Sequence, residues 1–418
     1  MDLHQKSDDY NTSSDVAQQI KLANPSTLDR QNANQGWLWS LGFGGFLVNA
    51  DNRALAPMLP AIAASLHTSP VHAAWLVSAY SIPYGLFQLI YGPLADRLGK
   101  VSTILLSLGL FSLGTIMCGV VDTFSWLMIL RILTGMFAAG VIPTALAQIG
   151  DRVALHERPR AIAFFMSLAI SGEALGIVIG GFVAQFFSYR ILFLLLGTGA
   201  ILLLLGLAKQ NRNERRASLP MAQVTQSRYG ALIRNPRAWL IYSMVLSEGF
   251  FLFGGFTYLA VYGVTVLHLP FFVIGLLTAT YSVGAIIGSR TISHVLRHIG
   301  MTYMPILGAT LMTLGFGLVW AFTDVMALTA GFLILGIGFS YCHTVLQTYS
   351  TDLLPEGRAT AVSGFAFSLF LGGGLGPMAF GVILNHYGMP VFLGATTFGM
   401  ALFSAMTLSL IRSTKTVK

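Results

Sequence analysis

Asp51, Arg53, Arg131, Glu173 and Glu248 interrupt otherwise apolar runs of this 418-residue chain. An ionised group held in hydrocarbon costs about 2.5–3.5 kcal/mol on insertion scales, so such residues face a bundle interior or a wet cavity and are functional candidates. Two chemistries are open to them. Opposite charges can pair, and a carboxyl can take or release a proton according to the side it faces. The loops between the runs hold no His and Asp cluster, no metal-ligand spacing and no phosphate-binding P-loop. That pattern argues against an enzyme, a metal or cofactor site and an ATP-driven pump.

The elements that must position these groups follow from composition. Apolar residues make up 55% of the chain and charged residues only 10%, against about 25% charged in a typical soluble domain. A bilayer core needs roughly 20 apolar residues per helix. The spans predicted on that basis begin with Trp37–Leu59, His72–Tyr91, Val101–Val121, Trp126–Ala147, Ala161–Gln185 and Ile191–Ala208. The second set is Ala238–Tyr262, Phe271–Gly288, Thr302–Phe322, Met326–Thr348, Ala359–Leu384 and Val391–Ile411. The expected organisation is a disordered tail over 1–35, a first bundle over 36–208, a basic linker over 209–237, a second bundle over 238–411 and a tail over 412–418. Residues 1–35 contain no apolar h-region of a signal peptide. Cys118 and Cys342 lie inside apolar runs and form no disulfide framework.

Basic residues set the orientation. With twelve spans both ends share one side, and that side holds all of the 24 Lys and Arg except Arg53, Arg131 and Arg190. The positive-inside rule puts it, with both termini, in the cytoplasm of a plasma (inner) membrane. The net charge of +8 is thereby explained as topology signals spread over every inner loop, not as a nucleic-acid surface.

The chain reads as an internal duplication. The segment from Leu155 through Glu157 and Arg158 to Ala161 matches Leu354, Glu356, Arg358 and Ala359, each before the fifth helix of its half. Gly172-Glu173-Ala174-Leu175-Gly176 matches Gly372-Gly373-Gly374-Leu375-Gly376, and Gly99 matches Gly300. Two parallel six-helix repeats put a site near the midplane between them.

Gly92-Pro93-Leu94-Ala95-Asp96-Arg97-Leu98-Gly99-Lys100 resembles the signature loop between helices two and three of the major facilitator superfamily. Leu127 to Gly135, with Arg131 at its centre, resembles the family motif whose Arg is linked to proton transfer; Thr134 replaces the usual Gln. Gly172, Gly176, Gly180 and Gly181 resemble the helix-five motif of its antiporters, with Ile177 where Pro is usual. The resemblance runs from Trp37 to Ile411 and is best to twelve-span drug:proton antiporters. It implies an all-α membrane protein of twelve helices in two pseudo-symmetric six-helix bundles. It also implies a cytoplasmic latch made by Asp96, Arg97 and Lys100, and close packing at the glycines.

Depths follow from 1.5 Å per residue. Asp51 is roughly 12 Å and Arg131 roughly 8 Å from the outer face, so a pair between helices one and four, neighbours in the family, is expected. Glu173 and Glu248 are roughly 18 Å and 15 Å from the inner face. With Asp51 and Arg131 they are the proton-coupling candidates, Glu248 ahead of Glu173 because helix seven is the family's repeat partner of helix one. Arg53 is expected to snorkel at the interface. Asn49, Tyr84, Tyr258 and His343 are possible cavity residues. The expected function is alternating-access, proton-coupled export of amphipathic or drug-like small molecules by a monomer whose partners are substrate, protons and lipid. The other reading is a carrier for one metabolite class, such as a sugar, siderophore, organic anion or lipid.

Overall fold

The computed structural model describes residues 25–154, 156–214, 229–354 and 357–410. Residues 1–24 of the expected tail, 215–228 of the expected linker, Leu155, Glu356 and the C-terminal tail lie outside the described residues. Those described are helical apart from short turns. The first half comprises α1 (Pro25–Arg53), α2 (Leu55–Ser65), α3 (Pro70–Leu98), α4 (Lys100–Val120), α5 (Phe124–Ala138), α6 (Val141–Arg152), α7 (Arg158–Phe186) and α8 (Tyr189–Glu214). The second comprises α9 (Tyr229–Ile233), α10 (Pro236–Thr265), α11 (Phe271–Ile299), α12 (Met304–Ala321), α13 (Val325–Asp352) and α14 (Arg358–Thr407).

Ten helices among the described residues are long and apolar enough to cross a membrane. One of these is a hairpin. Residues of α14 turn at Gly388, where φ is 78°. Tyr258 shows the reversal: its hydroxyl donates to the Pro377 carbonyl at 2.8 Å while its ring lies 5.4 Å from that of Phe392. Both arms of α14 thus meet α10 at the same level. The first predicted span is broken at Ala54 into α1 and α2, because Pro57 has no N–H to give the Arg53 carbonyl one turn earlier. Pro143 does the same to the Ala139 carbonyl, separating α5 from α6 within the fourth span.

Several boundaries differ from the sequence expectation. Pro25–Gln35, assigned to the tail, begins α1; Pro is well tolerated in a first helical turn. Lys209–Glu214 and Tyr229–Ile233, assigned to the linker, are helical. Most of the signature loop is helix as well: α3 runs to Leu98 and the turn is confined to Gly99, at φ 84°. A helix rising 1.5 Å per residue outlasts the apolar stretch that hydropathy detects.

The duplication is explicit in the backbone. Gly99 and Gly300 both take positive φ after the second helix of their half. His67 and His268 both take φ 52° after the first, a left-handed helix cap that His tolerates better than most side chains. The packing repeats too. A Cβ on Gly172 or Gly176 would strike the backbone of Phe46 or Ala50, and one on Gly372 or Gly376 that of Leu246 or Phe250. The fifth helix of each half therefore lies backbone to backbone against the first.

The halves meet along two seams. In one, Gly374 of α14 lies against Ile82 of α3, and Phe370 packs on Tyr84 with ring centroids 4.4 Å apart. In the other, Gly181 of α7 faces Gly275 of α11, and the Phe271 N–H donates to Oε1 of Gln185 at 2.9 Å. These last contacts lie on the side opposite the basic loops.

Candidate functional site: acid–base pairs within the spans

The structure gathers every charge predicted inside the spans into a pair. Asp51, near the end of α1, accepts from Nη1 of Arg131 in α5 at 2.6 Å, and both side chains are fully buried. The guanidinium lies 4.3 Å from the ring centre of Tyr80, whose hydroxyl reaches the Val48 carbonyl at 3.4 Å. Asp51 Oδ1 and Arg131 Nε and Nη2 are buried without hydrogen-bond partners among the described residues. Such a pair is hard to open dry, because removing either partner strands the other charge.

Arg53 departs from expectation. It does not snorkel to the interface; its Nε lies 2.7 Å from Oε1 of Glu173 in α7. Side chains of a helix lean toward its N-terminus, so Arg53 is carried back along α1 toward the level where Glu173 stands between Gly172 and Gly176. The break at Ala54 leaves Arg53 in the last turn of α1, where a cation is favoured by the helix dipole. Glu173 thus has a base beside it. The guanidinium also stacks 4.2 Å from the ring centre of Phe253, a residue of α10 in the other half. Both charged side chains keep 21% of their surface exposed. The adjoining cavity, about 30 Å³ between Asn52, Arg53, Ser81, Phe253 and Phe370, has room for water and not for a drug-sized molecule.

Glu248 faces His343 of α13. Oε2 lies 3.0 Å from Nδ1, with Glu248 fully buried and His343 18% exposed. The imidazole stacks on Phe339, centroids 4.5 Å apart, and tilts against Phe365 at 4.9 Å. This pair joins the first and fourth helices of the second half, as Asp51–Arg131 joins those of the first. Its base differs: a guanidinium in the first half, an imidazole in the second. The signal was available, since the duplication relates the helices carrying Glu248 and His343 to those carrying Asp51 and Arg131.

The remaining candidates are placed less favourably for a cavity. Tyr258 is fully buried, its hydroxyl spent on Pro377. Tyr84 is buried in the seam between Tyr80 and Phe370. Asn49 donates from Nδ2 to the Ala169 carbonyl at 2.8 Å, fixing α1 to α7. Aromatic and amide side chains beside close-packed helices fill the gaps there and satisfy backbone carbonyls. In the signature segment Gly92 and Arg97 are exposed, Asp96 is half-buried and forms no ion pair among the described residues, and Lys100 pairs with Asp151 of its own half. Gly180 lies against the backbone of Ala54, at the break between α1 and α2, whereas Gly181 contacts the other half. The helix-five glycines therefore serve both packings at once.

With this geometry in hand, the chain can be compared with known proteins. The sequence profile described as Major Facilitator Superfamily matches residues 41–377. An "Uncharacterized MFS-type transporter YceJ" of Bacillus subtilis is 28% identical over 87% of this chain and 94% of its own length. A "Putative multidrug resistance protein MdtD" of Salmonella paratyphi A is 25% identical over 90% of this chain and 72% of its own. Among solved structures, an inward-facing bacterial homologue of the human lysosomal transporter Spinster superposes with a TM-score of 0.73 at 18% identity, covering 91% of this chain and 97% of that one. The nucleoside transporter NupG superposes with a TM-score of 0.73 at 14% identity over 90% and 99%.

Proposed function

Because this chain belongs to the Major Facilitator Superfamily, we propose that it is a proton-coupled exporter of amphipathic, drug-like small molecules that works by alternating access. The observation that carries the coupling is the Glu248–His343 pair. With a proton shared between carboxylate and imidazole the buried pair is neutral overall or internally compensated. Without it, a bare carboxylate is held in a dry bundle, which is unfavourable. Rocking of the halves that wets His343 on one side and then the other would let the pair load a proton from outside and release it inside. Glu173 is the second proton candidate, its charge now shared with Arg53 across the seam from Phe253.

In this reading the basic loops and both termini are cytoplasmic, and the monomer is the transporting unit. The contacts between Gln185 and Phe271 hold the outer side shut. In the opposite conformation Asp96, Arg97 and Lys100 form the inner latch expected of the signature segment. The drug-like substrate class is supported by the multidrug-resistance names of relatives such as the Salmonella protein. A second reading, a carrier for an organic anion, is favoured by one observation: Arg53 presents part of its guanidinium to the seam.

The test is transport in proteoliposomes under an imposed pH gradient, with cationic, neutral and anionic compounds. Expected is movement of amphipathic cations or neutral compounds against the proton flow. Preferential transport of anions would replace the first reading by the second. Transport of any compound with no response to the gradient would overturn the coupling.

A further inference from the structure

An amphipathic cavity lies away from the seam on the basic-loop side, between the Trp37–Trp39 segment of α1, the end of α6 and the start of α7. Its volume is about 630 Å³, within the range of sites that take small ligands. Its walls divide by chemistry. Arg152 and Arg160 supply two guanidinium groups, Trp37, Trp39, Ala161 and Phe164 an apolar side. The aromatic wall is built: the Arg152 guanidinium lies 5.0 Å from the ring centre of Trp37, and Trp39 meets Phe164 edge-on with centroids 4.7 Å apart. Trp39 is nonetheless 46% exposed, on the outward surface of a bundle that stands in lipid. Arg160 is exposed and forms no ion pair among the described residues. Glu157 also lines the cavity, but its side chain is 69% exposed and lies beside His156, at the watery end. The lining thus sets two guanidinium groups and one carboxylate around an aromatic wall.

Indole rings with guanidinium groups at the end of a span mark the headgroup level of a bilayer. Basic pockets between spans at that level suit phosphate-bearing lipid heads, and an anionic leaflet raises their occupancy. We propose that this cavity binds an anionic phospholipid. Its phosphodiester is held by Arg152 and Arg160, and its glycerol and first acyl carbons lie against Trp39 and Phe164. The lipid would tie together the ends of three helices that carry Asp51, Arg53, Glu173 and the chain leading from Arg131. The site is independent of what the protein transports.

The experiment is native mass spectrometry of the full-length, detergent-purified protein titrated with phosphatidylglycerol or phosphatidylcholine of matched chains. Expected is binding of phosphatidylglycerol about tenfold tighter than phosphatidylcholine, with most of that preference lost in Arg152→Gln/Arg160→Gln. Arg152 also braces Trp37, so Arg160→Gln alone is the second variant, expected to weaken phosphatidylglycerol several-fold with an unchanged thermal midpoint. Arg290→Gln/Arg297→Gln removes the same charge elsewhere on the basic face and should leave binding intact. Equal binding of the two lipids by the wild type would overturn the proposal. So would an equal loss in the Arg290/Arg297 control, or displacement of the lipid by inorganic phosphate at comparable concentration, which would mark a free-anion site.

Discussion

At the residue scale, the two buried pairs that join first and fourth helices differ in what a single substitution should do. Asp51→Asn leaves the Arg131 guanidinium fully buried beside Tyr80 with no counter-charge. A loss of about 3–5 kcal/mol is expected, read as a lowered unfolding midpoint in detergent. Replacing both partners, as in Asp51→Asn/Arg131→Met, should recover part of it; a single variant as stable as the wild type would show that the pair is not dry. Glu248→Gln keeps shape and one hydrogen bond to His343 but cannot exchange a proton. The expected result is a normal midpoint and substrate exchange at equal pH. The response to an imposed gradient should fall by about a hundredfold, the lower end of the usual proton-transfer contribution. Gradient-driven efflux at wild-type rate would remove Glu248 from the coupling.

At the element scale, the decisive feature is the contact of first and fifth helices in each half. Gly176 lies on the Ala50 backbone with no space for a Cβ. Gly176→Val should therefore push α7 from α1, separate Arg53 from Glu173, and cost about 1–3 kcal/mol from overpacking alone. Gly92→Ala is the matched control, since a Cβ there meets nothing within 4 Å. Folding yield and thermal midpoint of the two variants distinguish a packing motif from a merely Gly-rich segment. The small residues were legible in the sequence as a stripe, and so was their repetition at Gly372 and Gly376. Which helix the stripe faces was not, because a one-dimensional spacing names a face and not its neighbour.

At the scale of the whole molecule, two halves joined along seams must rock for alternating access to operate. The Gln185–Phe271 contact crosses one seam on the side opposite the basic loops. A disulfide between Gln185→Cys and Phe271→Cys should hold that side closed, abolish transport, and release it on reduction. The native Cys118 and Cys342 are buried, so background oxidation should be slight. Transport unaffected by a fully formed cross-link would mean that this seam does not open during turnover.

The membrane class and the repeat were legible in the sequence, since hydropathy and residue spacing are local properties. It also pointed to Asp51 with Arg131, whose estimated depths differ by only about 4 Å. That Arg53 turns inward to Glu173, that Glu248 meets His343, and that Tyr258 is sealed in a helix contact became visible only in three dimensions. Each depends on the rotation of one helix about its axis and on which neighbour lies against it. Those are fixed by close contacts such as Gly176 on Ala50, between residues far apart in the chain.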